Sequence, residues 1–319
     1  MILVTGATGF VGQNLIERLI QENKQVRVLL PDYKRTSITW DQDDEQAPEI
    51  VIGTLMDEEA LYQAVSGVHL IIHLDSAMWW GRERDIERFE IVGTRNLIVA
   101  ARAARVGRMM VLSHLGASPS SAFTLLRMKG QFETLIRDSG LAYTILRAGI
   151  LFGEDDVFIN HIASTMSVNP LFHLMPGIGE IILHPLHIDD LIEVMIRSLG
   201  QLNTVDQIIE VGGGEYITYR DLLYTVMRLT RKSPFIISVP PYFLRLLVRI
   251  QSIVFRRTLI TQQTLDYVAA SRTAPLNNLY HTFGIHAKRF EDTLLGYLPQ
   301  KRFFWQAIRH AFKRKPRSI

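Results

Sequence analysis

Cysteine is absent from all 319 residues. That excludes disulfides, thiolate metal sites and cysteine nucleophiles, so any chemistry rests on hydroxyls, carboxylates, histidine, lysine or a bound group. No apolar run reaches the roughly 18 residues that a membrane-crossing helix needs. The first strand-like run begins at Ile2, which leaves no room for a cleavable leader, and the expectation is a cytoplasmic chain. Internal repeats and low-complexity tracts are also missing. The formal net charge is only +3, and residues 301–319 hold seven Lys/Arg and no acid, so residues 1–300 are net acidic. Basicity confined to a tail argues against a general nucleic-acid-binding surface and for a local anionic contact or merely a soluble end.

What is present is an ordinary globular composition, 47% apolar, long enough for one large core or a large domain plus a small one. Strand-like runs recur at 2–5, 25–30, 49–52, 68–74, 108–113, 142–147 and 206–211, with helical segments between them. That alternation predicts an α/β fold with a doubly wound parallel sheet, and the continuously apolar strands fit a sheet covered on both faces. From about Gly153 the rhythm changes, with Pro170, Pro176, Pro185 and Pro240-Pro241 punctuating shorter elements. The expected organisation is a dinucleotide-binding domain over 1–230, with 153–180 contributing to a substrate lobe, and a smaller α-rich lobe over 231–319.

The most informative segment is Met1-Ile-Leu-Val-Thr5-Gly-Ala-Thr-Gly-Phe10-Val-Gly12, a strand running into three glycines. Gly6 permits a tight turn, Gly9 a close approach of backbone to a diphosphate, and Gly12 close packing of the helix that follows. That helix aims its N-terminal amides at an anion. A second strand ends beside Asp32, about 20 residues past the last glycine, as a dinucleotide site requires.

These residues resemble the extended and atypical short-chain dehydrogenase/reductases, NmrA-like proteins with a Rossmann sheet, over roughly residues 1–225. Gly53-Thr-Leu-Met-Asp57, Val92-Gly-Thr-Arg-Asn-Leu97, Val111-Leu-Ser-His-Leu-Gly-Ala117 and Thr144-Ile-Leu-Arg-Ala-Gly-Ile-Leu-Phe-Gly153 carry the likeness. Gly212-Gly-Gly-Glu-Tyr-Ile-Thr-Tyr-Arg-Asp221 is most similar to the branch of the nucleotide-binding accessory subunit of respiratory complex I. The resemblance implies NAD or NADP as cofactor. It implies contacts from Gly6, Thr8, Gly9, Phe10, Val11, Gly12, Asp32, Arg35, Thr54, Leu55, Leu74, Asp75, Ser76, Ser113, Lys129, Ala148 and Ile150.

The departures matter more. Enzymes of the family use Tyr-x-x-x-Lys, the lysine binding the nicotinamide ribose; counting back from Lys129, the tyrosine position holds Leu125. The assisting hydroxyl falls on His114 or Leu115, and the usual asparagine on Glu90. General acid–base groups contribute about 100- to 10,000-fold, so their loss leaves a tyrosine-type dehydrogenase nearly silent. His114 and Lys129 remain the catalytic candidates, with His114 as either a substitute acid or a loop histidine. The favoured expectation is a nucleotide that is structural or sensing, in an accessory or assembly factor at a membrane complex. The alternative is an atypical reductase passing hydride to a quinone, isoprenoid or pigment precursor.

Asp32 suits the ribose diol of NAD and opposes a 2′-phosphate, although Lys34 and Arg35 could offset it. His184, His187, Asp189 and Asp190 read as a helix start with Asp189 as N-cap rather than as a metal site. Arg147 could meet an acidic substrate group or simply pair with a carboxylate. Trp79-Trp80-Gly81, within 78–84, falls where the family has a mobile loop. Residues 242–257 and 301–317 have the layout of interfacial helices, too short and charged to span a bilayer, suited to anionic lipid or a partner's groove. The alternatives are a core helix of the small lobe for 242–257 and a surface helix closing that lobe for the tail.

Overall fold

Short runs rich in Val, Ile and Leu become strands because branched side chains pack well on a pleated, covered surface. The computed structural model describes residues 1–42, 46–79, 83–254 and 259–312. Trp80, Gly81, Arg256, Arg257 and the basic residues from Lys313 onward lie outside the described residues. The central strands are β1 (Ile2–Thr5), β2 (Val26–Leu30), β3 (Glu49–Ile52), β4 (Leu70–His73), β5 (Arg108–His114) and β6 (Ala142–Ala148). Four short strands follow, β7 (Ile150–Phe152), β8 (Phe172–Pro176), β9 (Ile182–Leu183) and β10 (Pro185–His187), before β11 (Gln207–Val211) completes the sheet. Its order is β11-β6-β5-β4-β1-β2-β3, all parallel, so the chain reverses direction of winding between β1 and β4. Ligands of such sheets sit at that switch point, beyond the carboxyl ends of the strands.

One face of the sheet is covered by α1 (Phe10–Gln21), and the other by α2 (Glu58–Val65), α4 (Thr94–Ala103) and α5 (Thr124–Arg137), which buries Phe132 and Ile136. Between the short α3 (Glu83–Ile86) and α4 runs a π-helical segment, Glu87–Gly93. The lobe is built from α6 (Phe158–Val168), α8 (Tyr219–Thr230), β12 (Ile217–Thr218), β13 (Phe235–Val239), α9 (Pro241–Val254) and α10 (Gln262–Tyr267). Its core includes Phe158, Ile162, Leu222, Val226, Leu294 and Phe303. It is completed by α12 (Phe290–Tyr297) and α13 (Phe303–Phe312), the latter lying along α6. The helices α7 (Ile188–Gly200) and α11 (Asn278–Phe283) join α1 on the first face. There Leu279, Phe283 and Ile285 share a core with Leu191 and Val194, so the chain returns to the sheet after building the lobe.

The start of α7 corrects one expectation. Its N-cap is His187, whose Nδ1 accepts the Asp189 amide at 3.2 Å, and Asp189 is inside the first turn. An imidazole nitrogen, when unprotonated, serves as a capping acceptor as well as a carboxylate oxygen does. Among the described residues no cluster is arranged to hold a metal. No helix of the described residues is long and apolar enough to cross a membrane.

At the head of α6 the buried Asp156 accepts the Ile159 amide at 2.6 Å. Burial pushes its carboxyl up to about 7, against the backbone hydrogen bonds that pull it down. A pKa raised above that of the unfolded chain means the native state binds the extra proton, so stability from this group falls as pH rises from about 4 to 7. Asp156→Asn keeps an acceptor oxygen but removes the titration. Urea unfolding should therefore show the variant gaining on the parent protein by on the order of 2 kcal/mol between pH 5 and pH 8. A pH-independent difference would assign the carboxyl an ordinary pKa.

Candidate functional site

At the end of β1 the backbone turns through Gly6 at φ +73°. A Cβ there would lie 2.6 Å from the Leu74 carbonyl carbon, and one on Gly12 would lie 2.3 Å from the Gly6 oxygen. A Cβ on Gly9 meets only the Gly6 oxygen, at 3.3 Å, and otherwise points into open space. Gly6 and Gly12 are thus required by packing, and Gly9 leaves the cradle open. The Gly9 amide closes the turn on the Gly6 oxygen at 3.0 Å. Helix α1 then begins with no side-chain cap and no acidic residue in its first turn. Its leading amides and dipole are left to an outside anion. Thr8 and Val11 are half-buried on this loop, and the Phe10 ring packs against Gly153. The residues present fit a diphosphate.

Beyond the carboxyl end of β2 an open groove of about 670 Å³ is lined by Pro31, Asp32, Gly53, Thr54, Asp57 and Arg88, among others. Thr54 Oγ1 accepts the Met56 amide at 3.2 Å, while Leu55 is buried and packs on Gly93. Arg35 is exposed and outside that lining. Residues 57–59 add further carboxylates, and Arg88 is the one cation lining the groove among the described residues. The sequence reading missed Arg88. It rides on the π-helical segment, whose extra residue per turn moves side chains off the 3.6-residue face that a pattern search uses.

Just past β4, Asp75 sits against the turn. Burial raises its pKa; the Lys34 charge and hydrogen bonds from Thr5 and the Gly6 amide oppose that rise. Leu74 is half-buried beside it, and Ser76 donates to Glu90 Oε1 at 2.5 Å. The other Glu90 oxygen receives Lys129 Nζ at 2.7 Å, with both side chains almost wholly buried. The lysine expected to hold a ribose is therefore committed to a carboxylate, and that carboxylate stands where the family has asparagine. Ser113 donates to Glu133 at 2.5 Å, inside the protein. Arg147 clasps the same Glu133 at 2.6 Å and reaches Glu210 at 3.7 Å, which answers its open assignment in favour of carboxylate pairing.

The space above Leu125 is also filled. Leu125 is 0% exposed, and its amide faces Asp266 of α10 at 3.5 Å. The neighbouring Tyr267 ring stands edge-on to Trp79, His114 and Phe158 at 5.4–5.7 Å between centroids. Its hydroxyl donates to the Gly149 oxygen at 3.3 Å. His114, Ala148, Ile150 and Arg272 join Tyr267 around a pocket of only about 10 Å³, the room of about one water. Burial, then the charges of Lys129 and Arg272, hold the His114 imidazole well below its ordinary pKa, so it is neutral at physiological pH.

A parallel sheet with a glycine-spaced turn at its switch point is the architecture of a Rossmann-type dinucleotide-binding protein. A family model described as NAD(P)H-binding matches residues 6–166, half of the chain, and the chain belongs to that family, within its atypical short-chain dehydrogenase/reductase kind. It is 30% identical over 149 residues to the photosystem II assembly factor Ycf39 of Cyanophora paradoxa, covering 46% of this chain and 44% of that one. It is 28% identical over 175 residues to the mitochondrial NADH dehydrogenase [ubiquinone] 1 alpha subcomplex subunit 9 of Mus musculus, covering 50% and 43%. The chain thus spans under half the length of these curated relatives. An NADPH-dependent quinone oxidoreductase from Escherichia coli superposes with a TM-score of 0.72 at 18% identity, over 93% of this chain and 99% of that one, a likeness of fold alone.

Proposed function

We propose that this protein binds NAD(H) as a structural or sensing ligand and works as an accessory or assembly factor at a membrane complex, without catalysing hydride transfer. The observation that carries the reading is the site around Leu125, where a hydrocarbon stands at the proton donor's position, Lys129 is held by Glu90, and Tyr267 of α10 leaves only about 10 Å³ beside His114. The Gly6 to Gly12 turn, with Thr8, Phe10 and Val11, holds the pyrophosphate on the α1 amides, and Asp32 takes the adenosine ribose. A nicotinamide cofactor supplies hydride chemistry when bound in an enzyme; here the chain's own residues bind it and exclude a substrate. The carboxylates around Asp32 oppose a 2′-phosphate, which supports NAD over NADP.

The membrane side of the proposal is supported by what the lobe leaves exposed. Helix α9 buries Leu244 and Val248 and pairs Arg245 with Asp266 at 2.6 Å, yet Tyr242, Phe243, Leu246 and Ile250 stay exposed. On helix α13, Phe303 and Ala307 are buried, whereas Phe304 and Trp305 are outside. Exposed apolar groups of this number suit an interface. The two curated relatives, an assembly factor and a complex subunit, agree with such a role.

Purified protein mixed with NADH and quinones, ketones or enones, with and without anionic vesicles, tests both halves. NADH should be retained and stay unoxidised above the buffer rate, and the protein should float with the vesicles. Deuterium passing from labelled NADH into a stoichiometric product would establish the reductase alternative instead.

A further inference from the structure

Resting on the nucleotide-binding reading above, we infer that the site recognises the ADP half of the dinucleotide and is indifferent to the redox state of the nicotinamide. Two hollows at the carboxyl edge of the sheet, one beyond β2 and β3 and one beyond β5 and β6, differ in size by well over an order of magnitude. The first, where adenosine would lie, is an open groove of about 670 Å³, whereas the pocket at His114, Gly149 and Tyr267 holds about 10 Å³. A nicotinamide ring does not fit the second.

That closure is built in from several directions. Tyr267 is gripped by three aromatic neighbours and by the Gly149 carbonyl. The residue before it, Asp266, is tied to Arg245 of α9 at 2.6 Å and faces the Leu125 amide of α5 at 3.5 Å. The Arg272 guanidinium then donates to the Asp266 carbonyl at 2.7 Å and to the Tyr267 carbonyl. Opening the pocket means breaking these contacts together and exposing a half-buried guanidinium and a buried ring. The polar groups that would orient a nicotinamide ribose are equally occupied, Lys129 by Glu90 and Ser113 by Glu133.

The adenosine end keeps its recognition groups available. The turn at Gly9 presents amides for the diphosphate, Asp32 faces the ribose, and Arg88 supplies a planar cation that can lie on an adenine face. Binding energy is therefore concentrated on adenine, ribose and diphosphate, which NAD+, NADH and ADP-ribose share.

Isothermal titration of the full chain with ADP-ribose, NAD+ and NADH reads the inference directly. The three dissociation constants should agree within about threefold. Tyr267→Ala should break that parity, making NADH at least fivefold tighter than ADP-ribose as the ring gains a place. Arg88→Gln, a change in an open groove that leaves the core intact, should weaken all three ligands alike by about tenfold. A wild-type protein that binds NADH tenfold more tightly than ADP-ribose, or that separates NAD+ from NADH tenfold, overturns the inference and leaves nucleotide binding standing. Failure to bind any of the three would overturn nucleotide binding itself.

Discussion

Glu90→Gln should destabilise the protein by about 3–5 kcal/mol, among the largest effects of any single polar substitution in the chain. Glu90 is 0% exposed and Lys129 3%. The carboxylate takes Lys129 Nζ at 2.7 Å on one oxygen and Ser76 Oγ at 2.5 Å on the other. Removing the negative charge leaves an ammonium in the interior, with the Phe132 ring 4.9 Å away as a weak substitute. Lys129→Met in the parent background should also destabilise, because it strands a buried carboxylate. The double replacement should recover a substantial part of the loss, since a buried pair exchanged for apolar or neutral groups of like volume is often near neutral. Urea unfolding of the four proteins closes the cycle. A loss under about 1 kcal/mol for Glu90→Gln would mean that water reaches the pair and that Lys129 is free to turn toward a ligand.

The second large effect separates two glycines only three residues apart. Gly12→Ala places its methyl 2.3 Å from the Gly6 oxygen and 2.7 Å from Ala7 Cα, both backbone atoms of the turn itself. Neither can yield without moving α1 off the loop. The expected outcome is about 2–3 kcal/mol of lost stability together with at least a hundredfold loss of NADH affinity. Gly9→Ala meets nothing closer than 3.3 Å in the protein. It should leave the melting temperature within about 2 °C while still weakening NADH at least tenfold, because the methyl occupies the space through which a diphosphate approaches. Equal affinities for Gly9→Ala and the parent protein would place the diphosphate elsewhere.

The contrast shows what the primary structure makes legible. The seven strands of the central sheet were readable to within two residues, since continuous apolar runs separated by amphipathic helices leave a covered parallel sheet as the consistent arrangement, whereas the short strands from β7 to β10, β12 and β13 carried no such signal. The phosphate turn was readable because its glycines answer local constraints. Partnerships across distant elements were not. Glu90 and Lys129 are 39 positions apart, Ser113 and Glu133 are 20 apart, and Leu125 and Asp266 are 141 apart. A residue type alone does not say whether a lysine meets a ribose or a carboxylate; the fold decides by what it brings within 3 Å. The inward residue of α13 was illegible for a similar reason. Phe303, Phe304 and Trp305 are consecutive, and which of them is inward depends on how the helix lies along α6.

The return of residues 278–285 to the sheet, after the lobe has been made, fastens the end of the lobe back onto the layer it left. Residues on both sides of position 230 therefore contribute to one hydrophobic layer beneath α7. Any force or ligand that loosens α10 is transmitted by covalent chain, within a dozen residues, to the hydrophobic layer beneath α7. Heat should dissolve the nucleotide cradle and the lobe in one cooperative step.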